Sequence, residues 1–461
     1  MFRNTRHIHF VAIGGVGMSG IAEVLLNLQF TVSGSDLRRT ATTDRLAAKG
    51  ARIHIGHAAD QVVGADVVVR STAVTEANCE IHEARRRRIP VIRRAEMLAE
   101  LMRLKEGVAI AGSHGKTTTT SLTAAALAAG GLDPTVIVGG KVLALGTGAV
   151  LGGGEYLVAE ADESDGSFLH LVPTIAVVTN IDLEHVDHYP DLAAVRSAFQ
   201  EFLQRVPFYG TAVLCTDDPV VRELAPTLDR RVVTYGLGRE AEVRADEATI
   251  EQRPDGQSAT VSAAGEELGV LRLPQPGRHN LRNALAALSV ARELGVDFDL
   301  ASAALAGFGG VGRRCESHGE HGGVLVMDDY AHHPTELSAT MEVARAQGRR
   351  IVVLFEPHRF SRTKQFVSEF GDALSGADAV GLLPVYAASE PDPGDVGSHL
   401  IADALRQRGD RGAALLDDLA DVCRWLDATL QPGDLLLTMG AGDIGRMVSD
   451  LCNHLDRGER P

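Results

Sequence analysis

The stretch Val108-Ala-Ile-Ala-Gly-Ser-His-Gly-Lys-Thr-Thr-Thr-Thr120 constrains the fold more than any other part of the chain. A short apolar run of strand character ends at Gly112, and Gly115-Lys116-Thr117 opens an alanine-rich helix. A buried strand feeding a helix through glycines is a building unit of parallel α/β sheets. The glycines let backbone N–H groups curl around phosphate oxygens, and the helix N-terminus adds partial positive charge. On this basis Gly112, Ser113, His114, Gly115, Lys116, Thr117 and Thr118 are expected to contact a nucleoside triphosphate. Lys116 would reach the outer phosphates, and the Thr117 hydroxyl would hold a magnesium ion. Only Ser113 and His114 separate the two glycines, a shorter spacing than the common phosphate loop. The bland alternative is a glycine turn that merely caps a helix. Strand, glycines, lysine and threonine standing in the required order argue against it.

At 461 residues the chain exceeds one hydrophobic core, and about three domains are expected at ~150 residues each. Apolar residues make up 45%, enough to fill those cores. A net charge of −16 without long basic runs argues against a nucleic-acid partner, and Arg85–Arg88 reads as a solvated helix end. Cys79, Cys215, Cys315, Cys423 and Cys452 are scattered without metal-type spacing, which suits a reducing cytoplasm. The apolar start His7–Ile13 is too short for a signal peptide, and the apolar stretch after Thr120 is broken by Gly130, Gly131, Asp133 and Pro134. A cytoplasmic protein without a membrane partner is expected.

Strand-like and helix-like segments alternate almost throughout, which predicts an α/β fold with parallel sheets. The first unit opens with a strand over His7–Ile13, a helix over Ile21–Leu28 and a strand over Phe30–Ser33, trailed by Asp36. Further strands fall near Asp66–Arg70 and Pro90–Ile92, followed by a helix over Ala95–Leu104. Predicted strands at Tyr156–Ala159 and Ile175–Thr179 continue the second unit, and residues 230–273 look like a β-rich excursion before a helix over Asn280–Leu294. The third has strands at Val324–Met327, Ile351–Phe355, Ala379–Leu383 and Leu435–Met439. The expected domains are 1–106, Rossmann-like; 107–312, a central ATP-binding domain of phosphate-loop type; and 313–461, Rossmann-like again.

Gly15-Val-Gly17-Met-Ser-Gly20 also follows a strand, opens a helix and is trailed by Asp36, as in the dinucleotide fingerprint. Taken alone it would suggest an NAD-dependent dehydrogenase. The loop physics asks only for a pyrophosphate on a helix N-terminus, which a UDP-linked substrate also supplies. The pattern recurs at Gly440-Ala-Gly442-Asp-Ile-Gly445, where a tight strand–helix turn is the better expectation.

Glu160-Ala-Asp-Glu163-Ser-Asp165 and Asn180-Ile-Asp-Leu-Glu184-His185-Val-Asp187-His188 each follow a predicted strand end. Carboxylates and imidazole at adjacent strand ends can converge on one divalent ion beside Thr117, with Glu160 and His185 as the expected ligands. Asp162, Asp165 and Asp187 suit a solvated acidic loop. Zinc on His185 and His188 is a rival that lacks a nearby cysteine. Further on, Asp328-Asp-Tyr330-Ala-His332-His333-Pro334 and Glu356-Pro-His358-Arg359-Phe-Ser-Arg362 both follow strands. Arg359 and Arg362, at i, i+3 spacing, could grip a carboxylate or phosphate by paired hydrogen bonds. His332 and His333 could equally be turn residues before Pro334.

The chain resembles the Mur ligase family. The resemblance rests on Gly14–Gly20, Gly112–Thr120, Glu160–Asp165, Pro276-Gly-Arg-His-Asn280 with Asn283, Arg313-Arg314, Asp328–Pro334 and Pro357–Arg362, in family order over essentially the whole length. It implies three domains and an ATP-dependent ligase that joins an amino acid to a nucleotide-linked carboxylate, forming ADP and phosphate. Carried over by position, Lys116 resembles the phosphate-binding lysine, and Glu160 and His185 resemble Mg2+ ligands. His279, Asn280 and Asn283, with Arg314 and Asp329, resemble ATP-side positions. Tyr330, His332, Arg359 and Arg362 resemble residues around the incoming amino acid. Gly15, Gly17, Met18, Ser19, Gly20 and Asp36 are expected to bind the UDP-sugar. The substrates this resemblance implies are UDP-N-acetylmuramate and L-alanine, and the absence from Ser197–Leu203 of the lysine that several sister ligases carbamylate fits the alanine-adding branch. Glu184, Cys315 and Glu356 depart from the family pattern.

The implied mechanism is phosphoryl transfer followed by acyl transfer. The lactyl carboxylate attacks the γ-phosphate while Mg2+ and Lys116 neutralise charge, and the amine then displaces phosphate. Holding both substrates on one enzyme makes the encounter effectively intramolecular, with Gly307–Gly312 and the region near Gly107 as hinge candidates. Rival expectations are a ligase that recycles murein tripeptide onto the same UDP-sugar, a nucleotide sensor and, more remotely, the dehydrogenase.

Overall fold

Val67–Arg70, Ile351–Phe355 and Leu435–Met439 are apolar almost from end to end, the composition of strands covered on both faces. In the computed structural model, which describes residues 5–71, 73–138, 149–186, 188–409 and 413–457, each lies inside a largely parallel sheet. The chain divides into two compact units: Met1–Ile250 with Ser258–Leu273 and Asn280–Val311, and Glu251–Gln257 with Pro274–His279 and Gly312–Pro461. Among the described residues no helix is long and apolar enough to cross a membrane.

The first unit contains two sheets. One is fully parallel and runs Arg52–Ile55, Thr31–Asp36, His7–Val11, Val67–Arg70, Val91–Arg93. Its first strand stops two residues short of the expected Ile13, because Ala12 takes a left-handed φ of 66° and breaks the ladder. The helix after it begins at Val16, not Ile21. Glycine and serine are poor helix formers, but burial of this face overrides their propensity. The other sheet has a parallel core ordered Arg231–Gly236, Thr211–Cys215, Ile175–Val178, Glu106–Ala111, Tyr156–Glu160, Thr135–Ile137. The β-rich excursion extends it, with Val243–Ala245 joined antiparallel to Gly256–Ala263.

The second unit has one sheet, ordered Glu316–His321, Val324–Asp329, Leu435–Met439, Ile351–Phe355, Ala379–Leu382, Ala414–Leu415. All neighbours are parallel except the first pair.

One packing contact fixes the loop that follows Glu160. Phe168 is 1% exposed and packs its ring 5.3 Å from Phe199 and 5.0 Å from Phe202, both on the helix Leu192–Gln204. Truncating a buried phenylalanine costs about 3–5 kcal/mol. Phe168→Ala is therefore expected to lower the urea midpoint of the full chain strongly and to loosen Glu163 and its neighbours; an unchanged midpoint would refute this anchoring role.

Candidate active site

Glu106–Ala111 lies between Ile175–Val178 and Tyr156–Glu160, with Ala111 level with Val178 and Ile110 level with Glu160. Three loops thus leave adjacent carboxyl ends of a parallel sheet, where such sheets bind ligands. Gly112 turns with φ 134°, and a Cβ there would stand 2.0 Å from Thr179 Oγ1. Gly115 has φ 82°, and its Cβ would stand 2.7 Å from Asn283 Oδ1. Both places require glycine for conformation and for room. The neighbouring loop pins the turn: His114 N donates to Asn180 Oδ1 at 2.8 Å, Thr179 Oγ1 to His114 O at 2.6 Å, and Asp182 N to Ser113 Oγ at 2.8 Å. The helix Lys116–Ala129 starts without a side-chain cap, so the N–H groups of its first turn, at Thr117 and Thr118, suit an anion.

Lys116 Nζ donates to Gly112 O at 2.6 Å, to Ser113 O at 3.0 Å and to Glu163 Oε1 at 2.9 Å. Burial works to discharge the amine, but the carboxylates of Glu163, Glu160, Asp162 and Glu184 outweigh it and hold Lys116 above the ordinary lysine range. Thr117 Oγ1 donates to Glu160 Oε2 at 2.9 Å. His185 Nε2 stands 3.7 Å from Glu163 Oε1 and 3.7 Å from Glu184 Oε2. The ligand atoms of Glu163, Glu184 and His185 lie within 4.8 Å of one another. Two carboxylates and an imidazole beside a threonine hydroxyl form a donor set that fits a divalent cation such as magnesium. His185 adopts φ 54°, a conformation that surrounding contacts must enforce on a non-glycine residue.

His188 does not join His185. Among the described residues it belongs to no group of metal-ligating side chains, and its Nε2 lies against Gly166, where a Cβ would approach to 2.9 Å. Asp162, its side chain 41% exposed, pairs with Arg94 at 3.1 Å, which helps to hold its carboxyl below the usual range. Asp165 caps the turn at Ser167 N at 3.0 Å, and Asp187 lies outside the described residues. Sequence reasoning overlooked Glu163, which is 1% exposed, although its place three residues after a strand-ending glutamate was a usable signal. Asn280 and Asn283 are both buried on the helix Arg278–Glu293, with Asn283 over the phosphate loop.

At the N-terminal glycine loop, Gly14 N donates to Asp36 Oδ2 at 2.8 Å, so Asp36 ties the loop to the end of the second strand. Gly15 is exposed and Gly17 partly so, whereas Met18, Ser19 and Gly20 are buried. The helix Val16–Asn27 also begins without a side-chain cap. Any anion there would meet backbone N–H groups, not the side chains of Met18 or Ser19.

In the second unit Asp329, Met439 and Phe355 are level at the ends of adjacent strands. Burial pushes the Asp329 carboxyl up against the pull of Arg314, and its oxygens accept from Cys315 N and Ala331 N, both at 2.7 Å. The guanidinium carbons of Arg313 and Arg314 lie 5.3 and 5.1 Å from the centre of the Tyr330 ring. His333 caps the helix Pro334–Ala346, while His332 N donates to Glu336 Oε2 at 3.0 Å. His279 belongs to this unit, with its ring against Gly277.

Arg359, at φ 70°, immediately precedes the helix Phe360–Gln365, and Arg362 is buried within it. Arg362 Nη1 donates to His358 Nδ1 at 3.3 Å. The His358 ring stacks on Tyr386 at 5.5 Å and lies 5.5 Å from the His332 ring. Burial and the positive groups His332, Arg362 and Arg359 push it down to about 3, so His358 is a neutral imidazole. The Gly440–Gly445 loop is a turn packed on its own unit: Ile444 N donates to Glu356 Oε2 at 3.1 Å.

Three family models match the chain in turn. Residues 7–106 match the Mur ligase family catalytic domain, 110–291 the Mur ligase middle domain, and 313–442 the Mur ligase glutamate ligase domain. A UDP-N-acetylmuramate–L-alanine ligase of Desulfosudis oleivorans is 50% identical over 99% of this chain and 100% of its own. One from Anaeromyxobacter sp. (strain Fw109-5) is 54% identical over 97% of this chain and 98% of its own. The crystal structure of UDP-N-acetylmuramate-alanine ligase from Thermotoga maritima superposes with a TM-score of 0.80 at 30% identity, covering 97% of this chain and 99% of that one. A murein peptide ligase from Psychrobacter arcticus shares the fold, with a TM-score of 0.73 at 23% identity over 98% of each chain. With three Mur ligase family models matched in order along the chain and half the residues shared with a relative over the full length, the chain belongs to the Mur ligase family.

Proposed function

We propose that this chain ligates L-alanine to the lactyl carboxylate of UDP-N-acetylmuramate, consuming ATP, in cytoplasmic peptidoglycan precursor synthesis. The observation that carries the proposal is the charged Lys116, held partly buried among phosphate-loop carbonyls and Glu163 and adjoining the Glu163–Glu184–His185 donor set. Relatives of the alanine-adding name share 50–54% of residues over nearly the whole chain, against 23% and 29% for two murein peptide ligases, which favours alanine over a recycled peptide. Domain limits near 106 and 312 are part of the same proposal.

Thr117, Glu160 and His185, with Glu163 and Glu184 beside them, would hold the cation. Bound magnesium would supply charge neutralisation at the phosphates. Lys116 already carries its proton, so a phosphate oxygen can replace one of its partners without proton transfer. Asn280 and Asn283, with His279, Arg314 and Asp329, would serve the nucleotide. Carboxylate attack on the γ-phosphate releases ADP and leaves an acyl phosphate. The alanine amine then attacks the acyl carbon, and phosphate departs. Arg359 and Arg362 would hold the alanine carboxylate, with Tyr330 and His332 around it.

Lys116→Ala should lower ligation by at least about 10²–10³-fold in a phosphate-release assay with UDP-N-acetylmuramate and alanine. The substitution strands Glu163 in a buried place, which destabilises by about 3–5 kcal/mol. Lys116→Ala with Glu163→Gln should therefore regain much of the melting temperature and none of the activity. A folded double variant that turns over near the wild-type rate would end the phosphate-loop assignment.

Arg362→Lys keeps the charge but loses the planar fork and its bond to His358 Nδ1. The KM for alanine should rise about tenfold or more, while that for UDP-N-acetylmuramate stays put. Varying each substrate in turn decides this, and an unaltered response to alanine in both Arg359→Lys and Arg362→Lys would sink the assignment.

A further inference from the structure

A buried polar network in the N-terminal sheet takes no part in phosphate binding. Glu80, on the helix Cys79–Arg86, and His9, on the strand His7–Val11, are both 0% exposed. Glu80 Oε2 accepts from His9 Nε2 at 2.7 Å and from Ser35 Oγ at 2.9 Å, and Oε1 accepts from His57 Nδ1 at 2.7 Å. His9 Nδ1 meets Ser33 Oγ at 2.8 Å, and that oxygen meets His7 Nε2 at 2.7 Å. Burial works to neutralise Glu80, but the hydrogen bonds from His9, His57 and Ser35 prevail and keep it ionised. A carboxylate this deeply placed is costly unless every oxygen is satisfied, and here each one is.

The group that reaches out of this network is His57, whose side chain is 18% exposed. An ionised carboxylate only accepts, and the Ser35 hydroxyl hydrogen already points at Glu80. Nδ1 of His57 therefore carries a hydrogen, and in the neutral ring Nε2 is an acceptor. Among the described residues Nε2 has no hydrogen-bond partner.

The place of His57 in the sheet indicates what it meets. It directly follows Gly56, whose N donates to Asp36 O at 2.8 Å, so it stands beside Asp36 at the carboxyl edge. In a sheet of this order, pyrophosphate lies at the helix start after the first strand and ribose at the acidic residue ending the second. Continuing along the edge from His7–Val11 through Thr31–Asp36 leads to the end of Arg52–Ile55, where the base would lie and His57 stands. Building on the UDP-sugar reading above, we propose that His57 reads the nucleotide base, its Nε2 accepting the N3–H of uracil, and that Glu80 is the positioning residue that fixes this tautomer. Cytosine has a lone pair at N3, so the same nitrogen would meet an acceptor and reject it.

Calorimetric titration of the full chain at pH 8 with UDP and with CDP tests this. The wild type should bind UDP at least about tenfold more tightly than CDP. His57→Ala should weaken UDP about tenfold, leave CDP little changed and so close the gap. Should His57→Ala fail to fold, His57→Asn keeps a donor for Glu80 and lacks Nε2, and carries the same comparison. Nitrogen-15 histidine spectra should show His57 as the Nδ1–H tautomer in the wild type and lose that preference in Glu80→Gln. A folded His57 variant with an unchanged UDP-to-CDP ratio, or an Nε2–H tautomer in the wild type, overturns the proposal. Failure of the wild type to bind UDP or UDP-N-acetylmuramate at all overturns instead the UDP-sugar reading beneath it.

Discussion

The first unit is organised around one partly buried positive charge. Lys116, largely withdrawn from water, is held as an ammonium by the carboxylates of Glu163, Glu160, Asp162 and Glu184. These acids come from two loops leaving strands on either side of Glu106–Ala111, so the sheet order itself brings them to the lysine. The loop carrying Glu163 then has to return to the phosphate turn. Phe168 holds it from the apolar side and Tyr189, donating to Glu163 O at 2.8 Å, from the polar side. Charge, loop course and core packing are thus one arrangement.

Some of the local strain lies within motifs where chemistry is expected. His185, Arg313, Cys315 and Arg359 all occupy positive φ without being glycine, each at a conformational cost of about 1–3 kcal/mol. Each is held by hydrogen bonds: His188 N and Tyr189 N donate to His185 O, Tyr330 N to Arg313 O, Cys315 N to Asp329, and Arg359 N to Tyr386 O.

Strands and loop glycines were legible because their signals are local. Val67–Arg70 and Leu435–Met439 are apolar runs, and Gly112 and Gly115 stand beside a lysine and threonines. What escaped depends on partners far apart in sequence. Glu80 meets His9 across 71 positions, and His114 meets Asn180 across 66. No spacing rule links such residues; only the strand order does. Glu163 and His358 were in view within motifs, yet their roles follow from burial and from Lys116 and Arg362, which a sequence does not display.

The two look-alike glycine patterns make the same point. Gly15–Gly20 and Gly440–Gly445 have identical spacing, and both join a strand to a helix. At the second, the helix start is already occupied by the chain's own Glu356, whose carboxyl accepts from Ile444 N and is pushed up by burial. That N-terminus is satisfied internally, as helix starts generally must be. At the first, Asp36 accepts from Gly14 N and Arg38 N, both outside the helix, and Gly15 stays exposed. A glycine loop therefore marks an anion site only when the fold brings no carboxylate of its own to the helix start. The decisive residue, Glu356, lies 88 positions from the nitrogen it satisfies.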